Sequence, residues 1–178
     1  PSLDEIPEII EPTMHGMIEV MRGCGRGCKF CDVTLRSLRY YSPEKVVKEI
    51  EVNIKKGGLD RAWVHSDDIF VYGMDPTTTK NMEPNRDALE ELFTAIMSTG
   101  VKHTNPTHGT LAGAIADEKL IPNLSKIINS GPDNMIGIQC GLETGSIRLI
   151  EKYADRKLAP YKPDEWHWVV KEAVKTLN

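Results

Sequence analysis

Apolar positions along this chain follow two periods that take turns. Short runs of apolar and β-branched residues occur at Met17–Met21, Arg61–His65, Val101–Thr104 and Met135–Gln139. Each is strand-length and opens into polar or glycine-rich residues, so four strands are predicted there. After each of them the spacing changes to that of an amphipathic helix. Ser42 and Pro43 offer an N-cap and a proline at the first helical position. Val46, Val47, Ile50 and Ile54 then share a face until Gly57 and Gly58 stop it. A second helix starts at Asn85, carries Leu89, Leu92, Phe93, Ile96 and Met97, and ends before Gly100. Pro122–Asn129 and Ile147–Ala154 predict two shorter helices. A last one starts at Pro163, with Trp166, Val169, Val170, Ala173, Val174 and Leu177 on one face.

Strands that alternate with helices and need no hairpin partner indicate parallel βα units, four of them, in an α/β fold. Residues 1–16, rich in proline and acid, read as a linker or lead-in, and residues 17–178 as the domain. Tyr72–Pro84, with Pro76 and three successive threonines, reads as a long loop. In parallel βα architectures chemistry gathers in the loops that follow the strands. Four polar clusters fall there: the cysteines, then Ser66, Asp67 and Asp68, then His108, then Glu143.

Composition changes little in this picture. The 178 residues are 40% hydrophobic and 27% charged, ordinary for one globular domain with a real core. A net charge of −4 argues against binding nucleic acid through the whole surface. No apolar run reaches membrane-spanning length, and no signal peptide opens the chain. Of four cysteines, three sit within eight residues, which points to metal in a reducing, cytoplasmic compartment rather than to disulfides.

That cluster is Cys24, Cys28 and Cys31, spaced Cys-x3-Cys-x2-Cys among Gly23, Gly25 and Gly27. A zinc knuckle would want a fourth ligand in a Cys or His pair, and no histidine stands at such an offset. A disulfide would leave an odd thiol. An iron–sulfur cubane held by three thiolates keeps one iron open to a substrate or cofactor, and glycines let backbone N–H groups approach its sulfurs. Cys140, more than a hundred residues on, reads as a buried core thiol.

The spacing, with aromatic Phe30 before the last cysteine, resembles the radical S-adenosylmethionine superfamily. The resemblance implies an incomplete barrel of six βα units. This chain supplies four, so it is expected to be a partial (β/α) barrel from a larger enzyme, with an open sheet edge prone to self-association. It implies a 4Fe-4S cluster on Cys24, Cys28 and Cys31, with S-adenosylmethionine chelated at the open iron. An electron from a flavodoxin- or ferredoxin-type reductant would cleave it to a 5′-deoxyadenosyl radical. In this resemblance Phe30 flanks the adenine. Ser66, Asp67 and Asp68 lie where the family binds the methionine ammonium, although the glycine-rich form usual there is absent. Gln139 and Glu143 would face the ribose and substrate, and His108 and Glu143 are the candidate catalytic residues. Gly141–Ser146, reading Gly-Leu-Glu-Thr-Gly-Ser, resembles the cobalamin-associated branch and its tRNA-methylthiolating relatives. A cobalamin on a separate N-terminal domain is therefore expected, with no residue that identifies the substrate. Ser146 reads as a helix cap. The cations Arg22, Arg26, Lys29, Arg36 and Arg39 are expected to offset the anionic cluster and bind the cofactor carboxylate rather than RNA. A tRNA-modifying enzyme, a non-catalytic iron–sulfur electron carrier and a zinc-stabilised interaction module are the alternatives.

Overall fold

The computed structural model describes residues 3–75 and 82–178, so the middle of the predicted Tyr72–Pro84 loop lies outside the described residues. The first predicted strand divides at Val20 into β1 (Met17–Glu19) and β2 (Met21–Arg22). There follow β3 (Arg39–Tyr40), α1 (Pro43–Gly57), β4 (Arg61–His65), α2 (Arg86–Ser98), β5 (His103–Pro106) and β6 (His108–Gly109). The chain continues through α3 (Leu111–Ile115), α4 (Leu120–Ile127), β7 (Gln139–Cys140), α5 (Ile147–Tyr153) and α6 (Trp166–Leu177).

β1, β4 and β5 form a parallel sheet in that order, with Met17 opposite Trp63 and Trp63 opposite Asn105. β6 and β7 make a second parallel pair, His108 opposite Gln139. Single bonds stitch the two together at Thr107, whose N–H donates to the Val64 carbonyl (2.9 Å) and whose carbonyl accepts from Gln139 N–H (3.0 Å). The fold is thus mixed α/β around a small parallel sheet, and among the described residues no closed barrel forms.

Helices α1 and α2 obey their sequence signals. Ser42 Oγ accepts from Lys45 N–H at 3.3 Å to start α1, and Gly58 at φ 61° ends it in the left-handed region. Asn85 caps α2 by accepting from Ala88 N–H at 3.2 Å. Val46 and Ile50 of α1 and Leu89, Leu92, Phe93 and Ile96 of α2 form one core with Ile18, Ala62 and Val64 of the sheet. The other sheet face, with Met17, Glu19, Trp63, His65 and Asn105, stays partly open. A smaller core joins Leu111, Ile150, Leu158, Trp166, Val169 and Ala173, with α3 packed on α6.

Three expectations need correction. The strands do not all lack a hairpin-like partner, because β2 and β3 pair antiparallel, Arg22 opposite Arg39. The third strand sits later than Val101–Thr104, at His103–Pro106, and past Thr107 a further short strand, His108–Gly109, stands where His108 was expected in a loop. The fourth shrinks from Met135–Gln139 to two residues. Pro106, which would face that missing stretch, has no N–H to give a ladder. The Gly137 carbonyl is satisfied instead by the Asn105 side-chain amide at 2.8 Å.

Candidate functional site

The β2–β3 pair clamps the neck of the loop that carries the cysteines. Inside it Gly23, Gly25 and Gly27 take φ of 76°, 66° and 81°, so the loop turns through left-handed backbone at every second residue. Gly23 is also sterically obligatory, since a Cβ there would stand 2.6 Å from the Arg36 carbonyl oxygen. Its N–H donates to Asp67 Oδ2 at 2.7 Å, which ties the loop to the end of β4. Cys28 is buried, Cys24 and Cys31 are half-buried, and all four cysteines are free thiols. Burial pushes the Cys24 and Cys28 thiols up, against a downward pull from Arg26 on Cys24 and from Lys157 on Cys28. A thiophilic metal would displace the protons they hold.

The three thiols open on a cleft of about 260 Å³. Six other predicted site residues line the same cleft: Phe30, Asp67, Asp68, His108, Gln139 and Glu143. Ser66 lies beneath it, fully buried, its hydroxyl donating to the His108 carbonyl at 3.2 Å. Phe30 is about half exposed at the rim, and Gln139 is exposed on β7. His108 Nδ1 is 2.9 Å from Thr107 Oγ1, and its ring meets that of His65 edge-on at 6.1 Å. Cys140 does not line the cleft; burial raises its thiol from 9.0 to about 11. A larger cavity, about 490 Å³, lies at the β1 edge against Glu19, Arg22 and Tyr41, and carries no thiol.

The two aspartates part company. Asp67 keeps one oxygen on Gly23 and the other 3.9 Å from the exposed Arg36 guanidinium. Asp68 is 1% exposed and saturated, accepting from Arg26 Nε (2.7 Å), Thr110 N (3.1 Å), Thr110 Oγ1 (3.1 Å) and Phe70 N (3.3 Å). The expected basic cluster is therefore not a free field of charge. Arg26 is spent on Asp68, Arg22 forks onto Glu19 at 2.6 and 2.8 Å, and Lys29 donates to the Lys152 carbonyl. Ser146 stands at the N-cap of α5 without a side-chain cap bond; its N–H donates to Thr144 Oγ1 instead.

Lys157 is a site residue that sequence reasoning missed. Its ammonium lines the cleft with 11% side-chain exposure, pairs with Glu143, and lies 5.9 Å from the centre of the Phe30 ring. It comes from a short 3-10 turn, Asp155–Leu158, in a charged stretch with no local signal. Glu143 meets it from left-handed backbone at φ 62°.

Among the described residues, no three His, Cys, Asp or Glu side chains converge tightly enough to hold one ion. Three soft thiols line one cleft with the Arg26 and Lys157 side chains, a donor set that would fit a thiophilic group. No protein-family model matches the chain, and comparison with curated proteins returns no match.

Proposed function

We propose that this chain is a radical S-adenosylmethionine enzyme domain, its βα units part of an open (β/α) barrel. Cys24, Cys28 and Cys31 would hold a 4Fe-4S cluster. When bound and reduced, that cluster supplies the electron that cleaves S-adenosylmethionine to a 5′-deoxyadenosyl radical. The observation that carries the reading is convergence. Thiols from the loop after β1–β2 open on one cleft with polar residues from the ends of β4, β6 and β7.

Within that cleft each residue has a task its surroundings allow. Asp67, not the saturated Asp68, is the carboxylate available to the methionine ammonium. Phe30 offers an apolar rim against which an adenine can stack. Gln139 and Glu143 present polar groups for a ribose or substrate, with Lys157 holding the Glu143 carboxylate. His108 has Nδ1 engaged by Thr107, so Nε2 is the atom that can exchange a proton with substrate. A flavodoxin- or ferredoxin-type donor and a cobalamin on a separate domain belong to the same proposal.

Anaerobic reconstitution with iron and sulfide, followed by dithionite and S-adenosylmethionine, tests it. The expected result is a cubane EPR spectrum that S-adenosylmethionine alters, with 5′-deoxyadenosine as product. A cluster indifferent to S-adenosylmethionine would point to an electron carrier. Zinc without acid-labile sulfide would point to an interaction module.

A further inference from the structure

Arg26 stands in the middle of the Cys24–Cys28 interval and is 1% exposed. A guanidinium in such a place must have its donors satisfied, and this one reaches three distant parts of the chain at once. Nε donates to Asp68 Oδ2 at 2.7 Å, just after β4. Nη2 donates to Thr110 Oγ1 at 2.8 Å, and that hydroxyl also caps α3 by accepting from Gly113 N–H at 3.2 Å. Nη1 faces the carbonyls of Arg156 (3.4 Å), Lys157 (3.2 Å) and Ala159 (3.1 Å). Two of those carbonyls belong to the turn that presents the Lys157 ammonium to the cleft. Asp68 and Thr110 are bonded to each other as well, so the three side chains close a ring of partners.

We infer that Arg26 is a positioning residue: it sets the spread of the Cys24 and Cys28 thiols and the placement of the Lys157–Glu143 wall opposite them. The inference rests on the cluster reading above for its purpose, and on the hydrogen bonds alone for its mechanics. The loop cannot shift at Arg26 without moving a thiol on either side. The far wall cannot shift without breaking bonds to Nη1. Gly25 and Gly27 beside Arg26 supply backbone freedom but no anchor, so the guanidinium provides the fixity that the glycines lack. Lysine would keep the charge but lose the planar fork that serves three directions.

The test compares Arg26→Lys, Asp68→Asn and Thr110→Val with wild type by three readouts. They are the urea midpoint, the rate of iron release to a chelator after reconstitution, and the EPR spectrum of the reduced cluster. Arg26→Lys is expected to release iron about ten-fold faster and to alter the EPR spectrum, the scale of losing a charge-assisted hydrogen bond. Thr110→Val, which removes one partner, should fall between Arg26→Lys and wild type. Should Arg26→Lys or Asp68→Asn fail to fold, Thr110→Val decides by the same readouts. Folded variants with wild-type iron release and an unchanged spectrum would overturn the inference. If wild type itself takes up no cluster, the functional reading fails, while alkylation of the apoprotein still tests Arg26. Cys24 and Cys28 should then react about ten-fold faster in Arg26→Lys. Equal rates would sink it.

Discussion

Helices α1 and α2 bury their apolar stripes on a parallel sheet, whereas α3, α5 and α6 build the smaller core. Among the described residues only Cys140 of β7 joins that core from a strand, and Ala114 of α3 and Leu177 of α6 reach the larger core as well. Both regions share the same kind of amphipathic patterning, yet they are held differently. The sheet side is fixed by backbone ladders that no single side chain controls. The other side hangs its cleft-lining loop on side chains: Trp166 Nε1 donates to the Thr144 carbonyl at 2.7 Å, His167 Nε2 lies 2.8 Å from the Gly145 carbonyl, and Lys157 holds Glu143. The thiol wall of the cleft therefore stands on a frame, and the Glu143 wall on a few contacts. Arg26 is the tie between the two walls, so the Glu143 wall can loosen without the thiol wall only by giving up its carbonyl bonds to Nη1.

The strongest challenge to this contrast is Trp166→Ala. Trp166 is 1% exposed, and its loss should cost about 3–5 kcal/mol, drawn from the smaller core. Hydrogen exchange should quicken in α3, α5 and α6 while amides of β1 and β4 keep their protection. Phe93→Ala, of similar size in the larger core, should instead lower protection everywhere. If both variants gave the same pattern, the two cores would be one cooperative unit.

Gly23→Ala probes the thiol wall. It places a Cβ 2.6 Å from a carbonyl at φ 76°, so a loss of about 1–3 kcal/mol from backbone strain is expected, more if the loop cannot yield. Urea denaturation gives the size, and faster alkylation of Cys24 would show that the loop has moved. Asn85→Ala removes the α2 cap and the Asn85 Nδ2 bond to the Gly73 carbonyl (2.8 Å), and should cost about 1–2 kcal/mol of stability by urea denaturation, with thiol reactivity unchanged.

The last test is a pH dependence. Cys140 has a folded pKa raised from 9.0 to about 11, so the folded state holds this proton more tightly than the unfolded one. Its contribution to stability is complete below pH 9 and is lost as pH rises through 11. Wild type should thus lose stability across that window more steeply than Cys140→Ala, as followed by urea midpoints at successive pH values. Parallel curves would mean that the thiol is better solvated than its place beside the smaller core implies.

Much of the frame was legible. Ser42, Pro43 and Gly58 act through the local backbone, and the Leu89–Ile96 stripe needs only helical geometry, so both announce themselves in the chain. The Gly-rich cysteine loop was legible for the same reason. Strand ends were less so, because Pro106 and Gly137 act on a neighbouring strand and their effect depends on which strand that is. The β2–β3 clamp escaped because two-residue strands carry no period. Asp67 and Asp68 looked equivalent as adjacent acids, and only their opposite orientations across the β4 end separate them.

The order of βα units, the two main helices and the three clustered thiols follow from the sequence alone, since propensity, capping and spacing are properties of neighbours along the chain. Tertiary structure alone decided that Arg26 is a buried anchor rather than a surface cation. It likewise brought Lys157 to the cleft, with Glu143 on one side and Phe30 on the other. Their partners lie between 14 and 133 residues away in sequence, and burial and hydrogen bonding at that range exist only once the chain has closed on itself.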